Sequence, residues 1–166
     1  MLVRWPITAL ITGVLLMAGC GTDATSPRSI RQVTELGGLR LELDVERAAI
    51  PVGDSSTLTM RLRNLTAEPV RLTFGSSCQI MPYIENAAGA VQYPGGGAWG
   101  CAAVITSLDV PAGGTVTRTL LVRGVAQSDG VRGSSLPPGR YRAYAVLEGM
   151  SDLFQLRSPT IGFEVR

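Results

Sequence analysis

The stretch VGDSSTLTMRLRNLTAEPVRLTF, residues 52–74, decides the fold class of this chain. Apolar residues occupy every second position on both sides of a polar turn at residues 64–68; they are Leu58, Met60 and Leu62 before the turn and Val70, Leu72 and Phe74 after it. A period of two is the pattern of a β-strand that buries one face. The stretch therefore predicts two antiparallel strands, joined by a turn in which Asn64 bonds with Thr66.

The same alternation recurs along the rest of the chain. It is clearest in LRLELDV at 39–45, TVTRTLLVR at 115–123, YRAYAVL at 141–147 and IGFEV at 161–165. Residues 104–110 are predicted to be a further strand. Pro82 argues for an irregular or edge strand at 80–85, because proline cannot donate to a strand ladder. Roughly seven to nine strands at turn spacings near 10 residues predict an all-β, antiparallel β-sandwich.

Length and charge narrow the classes of partner. A chain of 166 residues, less an export segment, is one ordinary domain. Its net charge is +2, and its 15 basic residues are all Arg and are spread rather than blocked. We therefore expect no nucleic-acid partner.

Residues 1–20 are predicted to be a lipoprotein signal peptide. The apolar run at 7–17 follows Arg4 and is shorter than the about 20 residues that span a bilayer. It ends in LMAGC, which resembles a bacterial lipobox, so that Cys20 would be lipidated and become the mature N-terminus. The alternative is an ordinary signal peptide with an incidental Cys. Gly21, rather than Asp, after the Cys favours the outer membrane if the cell has one.

The polar segment GTDATSPRSIRQVTELGG, residues 21–38, is predicted to be a flexible tether. The folded domain is then predicted to cover residues 39–166. The protein is accordingly expected to be exported and held at the cell envelope through its N-terminal lipid.

Cys78 and Cys101 are predicted to form a disulfide. Lipidation of Cys20 leaves an even pair of cysteines in an exported domain, where disulfides are expected. Between them lies a Gly-rich loop at 94–100 that carries Trp99. Two interpretations of Trp99 stay open: it is a contact for a protein partner, or it packs inward on the core.

No reaction chemistry is recognisable in the residues. The chain has no His, and no nucleophile elbow, phosphate-binding loop or zinc-protease motif is present. Two thiols without His or a CxxC spacing do not make a zinc site. We therefore predict no catalytic residue, no metal and no cofactor, and that the protein is not an enzyme.

Several segments of the chain together resemble the BsuPI-type intracellular proteinase inhibitor domain. They are LRLELDV, residues 52–74, the hairpin around Gly89, the Trp99 segment, LDVPAGGTVTRTLLV and LPPGRYRAYAVL. The resemblance covers residues 39–147. It implies an immunoglobulin-like sandwich and a protease, such as a serine protease, as the protein partner. The alternative is a structural or assembly lipoprotein of the envelope without inhibitory activity.

Overall fold

A computed structural model describes residues 29–127, 134–148 and 155–166 of the chain. These residues form 13 strands. The strands are β1 (Ile30–Leu36), β2 (Leu39–Val45), β3 (Ala49–Ile50), β4 (Ser55–Asn64), β5 (Val70–Phe74), β6 (Ile80–Asn86), β7 (Val91–Tyr93), β8 (Thr106–Val110), β9 (Thr115–Gly124), β10 (Ser135–Leu136), β11 (Gly139–Glu148), β12 (Gln155–Arg157) and β13 (Ile161–Val165). No helix that could cross a membrane occurs within these ranges.

The strands form two larger sheets and a ribbon. The first sheet has the order β1-β2-β4-β9-β10, the second the order β3-β13-β11-β6-β7 with β12 beside β11, and β5 pairs with β8. The predicted all-β class is confirmed, but the sheets are mixed rather than purely antiparallel. Two short pairs are parallel: the two-residue strand β3 pairs with β13, and the two-residue strand β10 pairs with β9.

The alternating apolar residues form the core, as predicted. Leu58, Met60 and Leu62 of β4 are at most 1 % exposed, and Phe74 is fully buried. They meet residues of the second sheet, among them Ala143, Ala145, Leu147, Ile161 and Phe163. The faces of the strands were therefore predictable from the period of two.

The pairing of residues 52–74 differs from the simple hairpin that the sequence indicates. β4 lies between β2 and β9, whereas β5 pairs with β8 in the ribbon. The turn between them is held by Asn64, whose Oδ1 accepts bonds from the N and the Oγ1 of Thr66 at 2.9 and 2.7 Å. The predicted bond between Asn64 and Thr66 is confirmed, and it directs the chain out of the first sheet.

The predicted tether at 21–38 is wrong for its second half. Residues 30–36 form β1, which pairs with β2 along its whole length. The two strands are joined through Gly37 and Gly38, whose φ angles of 58° and 76° suit a tight hairpin turn. An edge strand buries little and so needs few apolar residues, which is why this segment is too polar to indicate a strand. The described sandwich therefore includes residues 30–36, which the prediction placed before the domain. The predicted leader with Cys20 and residues 21–28 of the predicted tether lie outside the described residues.

β6, which contains Pro82, lies between β11 and β7, but β7 reaches only its second half, where the register shifts between Ile84 and Glu85. The predicted irregular strand is therefore confirmed, and Pro82 lies where no described strand pairs with β6 on the β7 side. The residue opposite Pro82 on β11 is Ala145. Ala145 N donates to Ser158 Oγ and Ala145 O accepts from Ser158 N, both at 2.9 Å, so these backbone groups point away from β6. β7 pairs only with Ile84 and Glu85. The missing N–H of Pro82 therefore costs no ladder bond on either side.

Candidate functional site: the clamped segment

The predicted disulfide between Cys78 and Cys101 is present in the structure. The two Cα atoms are 5.5 Å apart, within the normal range for a disulfide. Cys78 lies just before β6, and Cys101 lies a few residues before β8. The bond therefore fixes the chain between β7 and β8 to the start of β6.

Hydrogen bonds extend this connection on both sides of residues 102–105, which we call the clamped segment. At one end, Ser77 N donates to Ala102 O at 3.0 Å and Ala102 N donates to Ser77 Oγ at 2.9 Å. At the other end, Thr106 Oγ1 donates to Ser76 O at 2.7 Å, and Thr106 starts the pairing of β8 with β5. Residues 76–78 thus hold both ends of the clamped segment.

The clamped segment itself is apolar and exposed. Ala102, Ala103, Val104 and Ile105 are all exposed. Val104 is 51 % and Ile105 68 % accessible, and Val104 N bonds to Ala102 O at 2.9 Å in a tight turn around Ala103. These adjacent apolar side chains on a braced loop make the clamped segment a candidate contact surface.

Trp99 is neither fully exposed, as a contact for a protein partner would be, nor packed inward on the core. It is half-buried and lies edge-to-face against Tyr83 and Tyr93, with ring centroids 6.4 and 5.4 Å away. Tyr83 alternates with the core residues Pro82 and Ile84, so these contacts lie on the outer face of the second sheet. Trp99 therefore packs, but on the outer face rather than into the core between the sheets.

The aromatic row continues across the second sheet. Tyr83 stacks on Tyr144 at 5.1 Å with nearly parallel rings, and the guanidinium carbon of Arg157 lies 3.8 Å from the Tyr144 ring centroid. These contacts occupy the ring faces of Tyr144, which is only 8 % exposed. The row gives the loop at 94–100 a stiff base and leaves Tyr144 no free face on which a ligand could stack.

The ionisation of this row is simple at neutral pH. Burial raises the pKa of Tyr93 above its ordinary value of 10.0. Burial also raises the pKa of Tyr144, and the nearby Glu85 carboxylate adds to this effect against the opposing charge of Arg157. Tyr93 and Tyr144 are therefore neutral at this pH, and the clamped segment has no ionisable residue of its own.

The described ranges contain no group of three His, Cys, Asp or Glu side chains arranged to hold a metal ion.

The sequence singled out Trp99 and the loop at 94–100 but missed residues 102–105, which it assigned in part to a strand. The strand starts only at Thr106. One signal could have marked this segment: the run AAVI is apolar without alternation and directly follows the half-cystine Cys101.

Comparisons with known proteins identify no family. No family model matches the chain, and no curated protein matches it. The resemblance to the BsuPI-type family therefore stays a prediction.

Solved structures share parts of the fold at low similarity. The alkylpurine DNA glycosylase AlkC of Pseudomonas fluorescens has 18 % identity and a TM-score of 0.43, over 74 % of this chain and 28 % of that one. The C-terminal domain of wzt has 10 % identity and a TM-score of 0.45, over 84 % and 79 % of the two chains. A β-glucosidase of Listeria innocua has 11 % identity and a TM-score of 0.38, and this chain spans 16 % of it. Likenesses at this level say nothing about activity.

Proposed function

We propose that this protein is an exported, lipid-anchored binding protein that recognises another protein through the clamped segment. One observation carries the proposal: four consecutive apolar residues are exposed and are held at both ends by the disulfide and by residues 76–78. Adjacent exposed apolar side chains on a loop that a rigid scaffold holds in place are a feature of protein interaction sites.

Rigidity explains why such a short segment could be sufficient. Binding orders flexible loops at a cost of about 0.5 to 1.5 kcal/mol for each immobilised side chain. Here the backbone on both sides of Val104 and Ile105 is already bonded, and these side chains are β-branched with few rotamers. Most of the free energy from burying them would therefore remain available for affinity.

The position of the segment agrees with a lipid-anchored protein. The chain enters the described domain at Ile30, near the end of the sandwich where β11 begins with Gly139. The disulfide lies at the other end, since Cys78 precedes Ile80, which is opposite Leu147 of β11. Gly139 and Leu147 are about 27 Å apart along β11 at about 3.4 Å per residue. A lipid on Cys20 would thus leave the clamped segment turned away from the membrane.

A proteinase is the partner that we propose for this segment. Proteinases accept an exposed chain segment in a cleft and select it by the side chain that enters a primary pocket. Ile105, with 68 % of its surface accessible, is the side chain most available for such a pocket. The matching pocket would be apolar, because the segment carries no charge.

The resemblance to an immunoglobulin-like inhibitor domain is part of the same proposal. Tyr141 supports it: its hydroxyl donates to Pro137 O at 2.7 Å. A tyrosine that bonds to the backbone a few residues upstream is a recurrent corner of immunoglobulin-like sandwiches. The sequence LPPGRY therefore has a structural counterpart in the proposed fold family.

Inhibition assays with the full chain in detergent would test the proposal. We expect it to slow at least one serine protease with an apolar primary pocket at micromolar concentration. Val104→Ser combined with Ile105→Ser should weaken that inhibition about tenfold or more. Val52→Ser is the matched control, because Val52 is a 41 % exposed valine in a distant turn.

Two results would separate the parts of the proposal. If no protease is slowed but an envelope protein is captured by the wild type and not by the double variant, binding stands and inhibition is wrong. If the double variant inhibits and captures as well as the wild type, the clamped segment is not the contact surface. The chain would then be better described as a structural lipoprotein of the envelope.

A further inference from the structure

β9 is not the last strand of the first sheet, yet most of its outer edge has no described partner. On one side, β9 pairs with β4 from Thr115 to Arg123. On the other side, β10 reaches only Arg123 and Gly124. Within the described ranges, no strand pairs with residues 115–119 on this side. About 17 Å of strand edge, at about 3.4 Å per residue, therefore has no ladder partner among the described residues.

The backbone groups on this edge can be assigned. Arg123 N donates to Ser134 O at 3.0 Å on the β10 side, whereas Gly124 N donates to Asp54 O at 3.0 Å on the β4 side. Hydrogen-bonding directions alternate along a strand. The N–H and C=O groups of Thr115, Thr117 and Thr119 therefore point to the open side.

Arg118 occupies an unusual place beside this edge. It is opposite Met60, on the face of β9 that carries the half-buried Val116 and Leu120. Its side chain is nevertheless exposed, and its Nη1 donates to Thr117 O at 3.2 Å, which is one of the edge carbonyls. No ion pair joins Arg118 to any residue that the structure describes.

An inward-pointing charge on an edge strand opposes pairing between identical chains. A second copy placed antiparallel on this edge, centred on residue 118, would bring two guanidinium groups together. A strand with a carboxylate at the same position would instead pair with the Arg118 charge. It would also draw the guanidinium away from Thr117 O, which frees that carbonyl for the ladder.

We propose that residues 115–119 of β9 accept an extended segment of another protein by strand addition. The segment carries an acidic residue facing Arg118 and an apolar residue on each side of it, facing Val116 and Leu120. Main-chain bonds to the three edge threonines supply affinity, and the acidic residue supplies selectivity. This surface is separate from the clamped segment.

A charge exchange tests the proposal with a synthetic peptide. The probe is acetyl-Thr-Val-Thr-Glu-Thr-Val-Thr-amide with a fluorescent label, and its partner probe has Arg in place of Glu. We expect the full chain in detergent to bind the Glu peptide about tenfold more tightly than the Arg peptide. The Arg118→Glu variant should reverse this order, and Arg118→Thr should abolish it. Arg63→Glu, on the outer face of the neighbouring β4, is the control and should keep the wild-type order.

Hydrogen exchange gives an independent measurement. The amides of Thr117 and Thr119 should exchange quickly in the free protein and slowly with the Glu peptide bound. The Val104→Ser and Ile105→Ser variant should bind the peptide as the wild type does, because it changes the other surface. Slow exchange of these amides in the free protein, or the same peptide order in Arg118→Glu and wild type, would overturn the proposal.

Discussion

The side-chain amide of Asn64 donates a hydrogen bond of 3.1 Å to the carbonyl oxygen of Val110, 46 residues further along the chain. The same nitrogen donates to Glu68 O at 2.7 Å, and Asn64 is completely buried. One side chain thus joins the end of β4 in the first sheet to the end of β8 in the ribbon. The turn that the sequence places at 64–68 is also a bridge between two parts of the core.

Asn64→Ala should lower the free energy of unfolding by about 2 to 4 kcal/mol. The substitution leaves the Val110 carbonyl and the Thr66 N–H without partners, whereas Glu68 O keeps its bond from Thr66 Oγ1. Each unsatisfied buried group costs about 1 to 3 kcal/mol. Urea denaturation would measure the change. Thr66→Val removes only the hydroxyl of a half-buried residue, which bonds to Asn64 Oδ1 and Glu68 O, and should cost about 1 kcal/mol. An equal loss in both variants would contradict this account.

Replacement of both Cys78 and Cys101 by Ala should destabilise the domain by roughly 3 kcal/mol, from the chain entropy of a loop closed over 23 residues. Inhibition or partner binding should fall further, since the clamped segment then keeps only its hydrogen bonds. Urea denaturation with and without a reductant would measure the effect on stability. The reductant should change the wild type and leave the double variant unaffected.

Trp99→Ala should cost about 2 to 3 kcal/mol of stability, because it removes two edge-to-face contacts and the cover over Tyr83. Trp99→Phe keeps an aromatic ring in this place and should cost about half as much. The thermal midpoints of both variants would be compared with the wild type. An unchanged midpoint in Trp99→Ala would show that the row does not stabilise the loop.

Stability should fall at alkaline pH. Burial raises the pKa of Tyr93, Tyr141 and Tyr144 above the ordinary value of 10.0, so the folded state keeps these protons when the unfolded chain has lost them. The free energy of unfolding is therefore unaffected by these groups below about pH 10 and decreases above it. Thermal midpoints between pH 8 and pH 11 would show this, and Tyr144→Phe should reduce the slope above pH 10.

The full chain should partition into detergent, because the leader predicts a lipid on Cys20. Cys20→Ala should move the protein to the aqueous phase in a detergent phase-separation assay, since several acyl chains are lost together. Cys78→Ala, which leaves the lipobox intact, serves as the comparison and should stay with the detergent. Equal recovery of wild type and Cys20→Ala in the aqueous phase would contradict lipidation.

Some of the structure follows directly from the sequence. Side-chain direction alternates along any strand, so the period of two in β2, β4 and β11 was enough to predict strands and their buried faces. The disulfide was predictable as well, because the predicted lipidation of Cys20 leaves one pair of cysteines, which has a single pairing to make.

Other features depended on the tertiary structure, because they are set by residues far apart in the chain. β5 pairs with β8 rather than β4 since the buried Asn64 turns the chain toward Val110. The polar segment at 30–36 becomes a strand because β2 offers it a complete ladder, whatever its own propensity. Val104 and Ile105 look like the start of a strand in sequence, but the bonds from residues 76–78 to Ala102 and Thr106 hold them outside the sheet and in water.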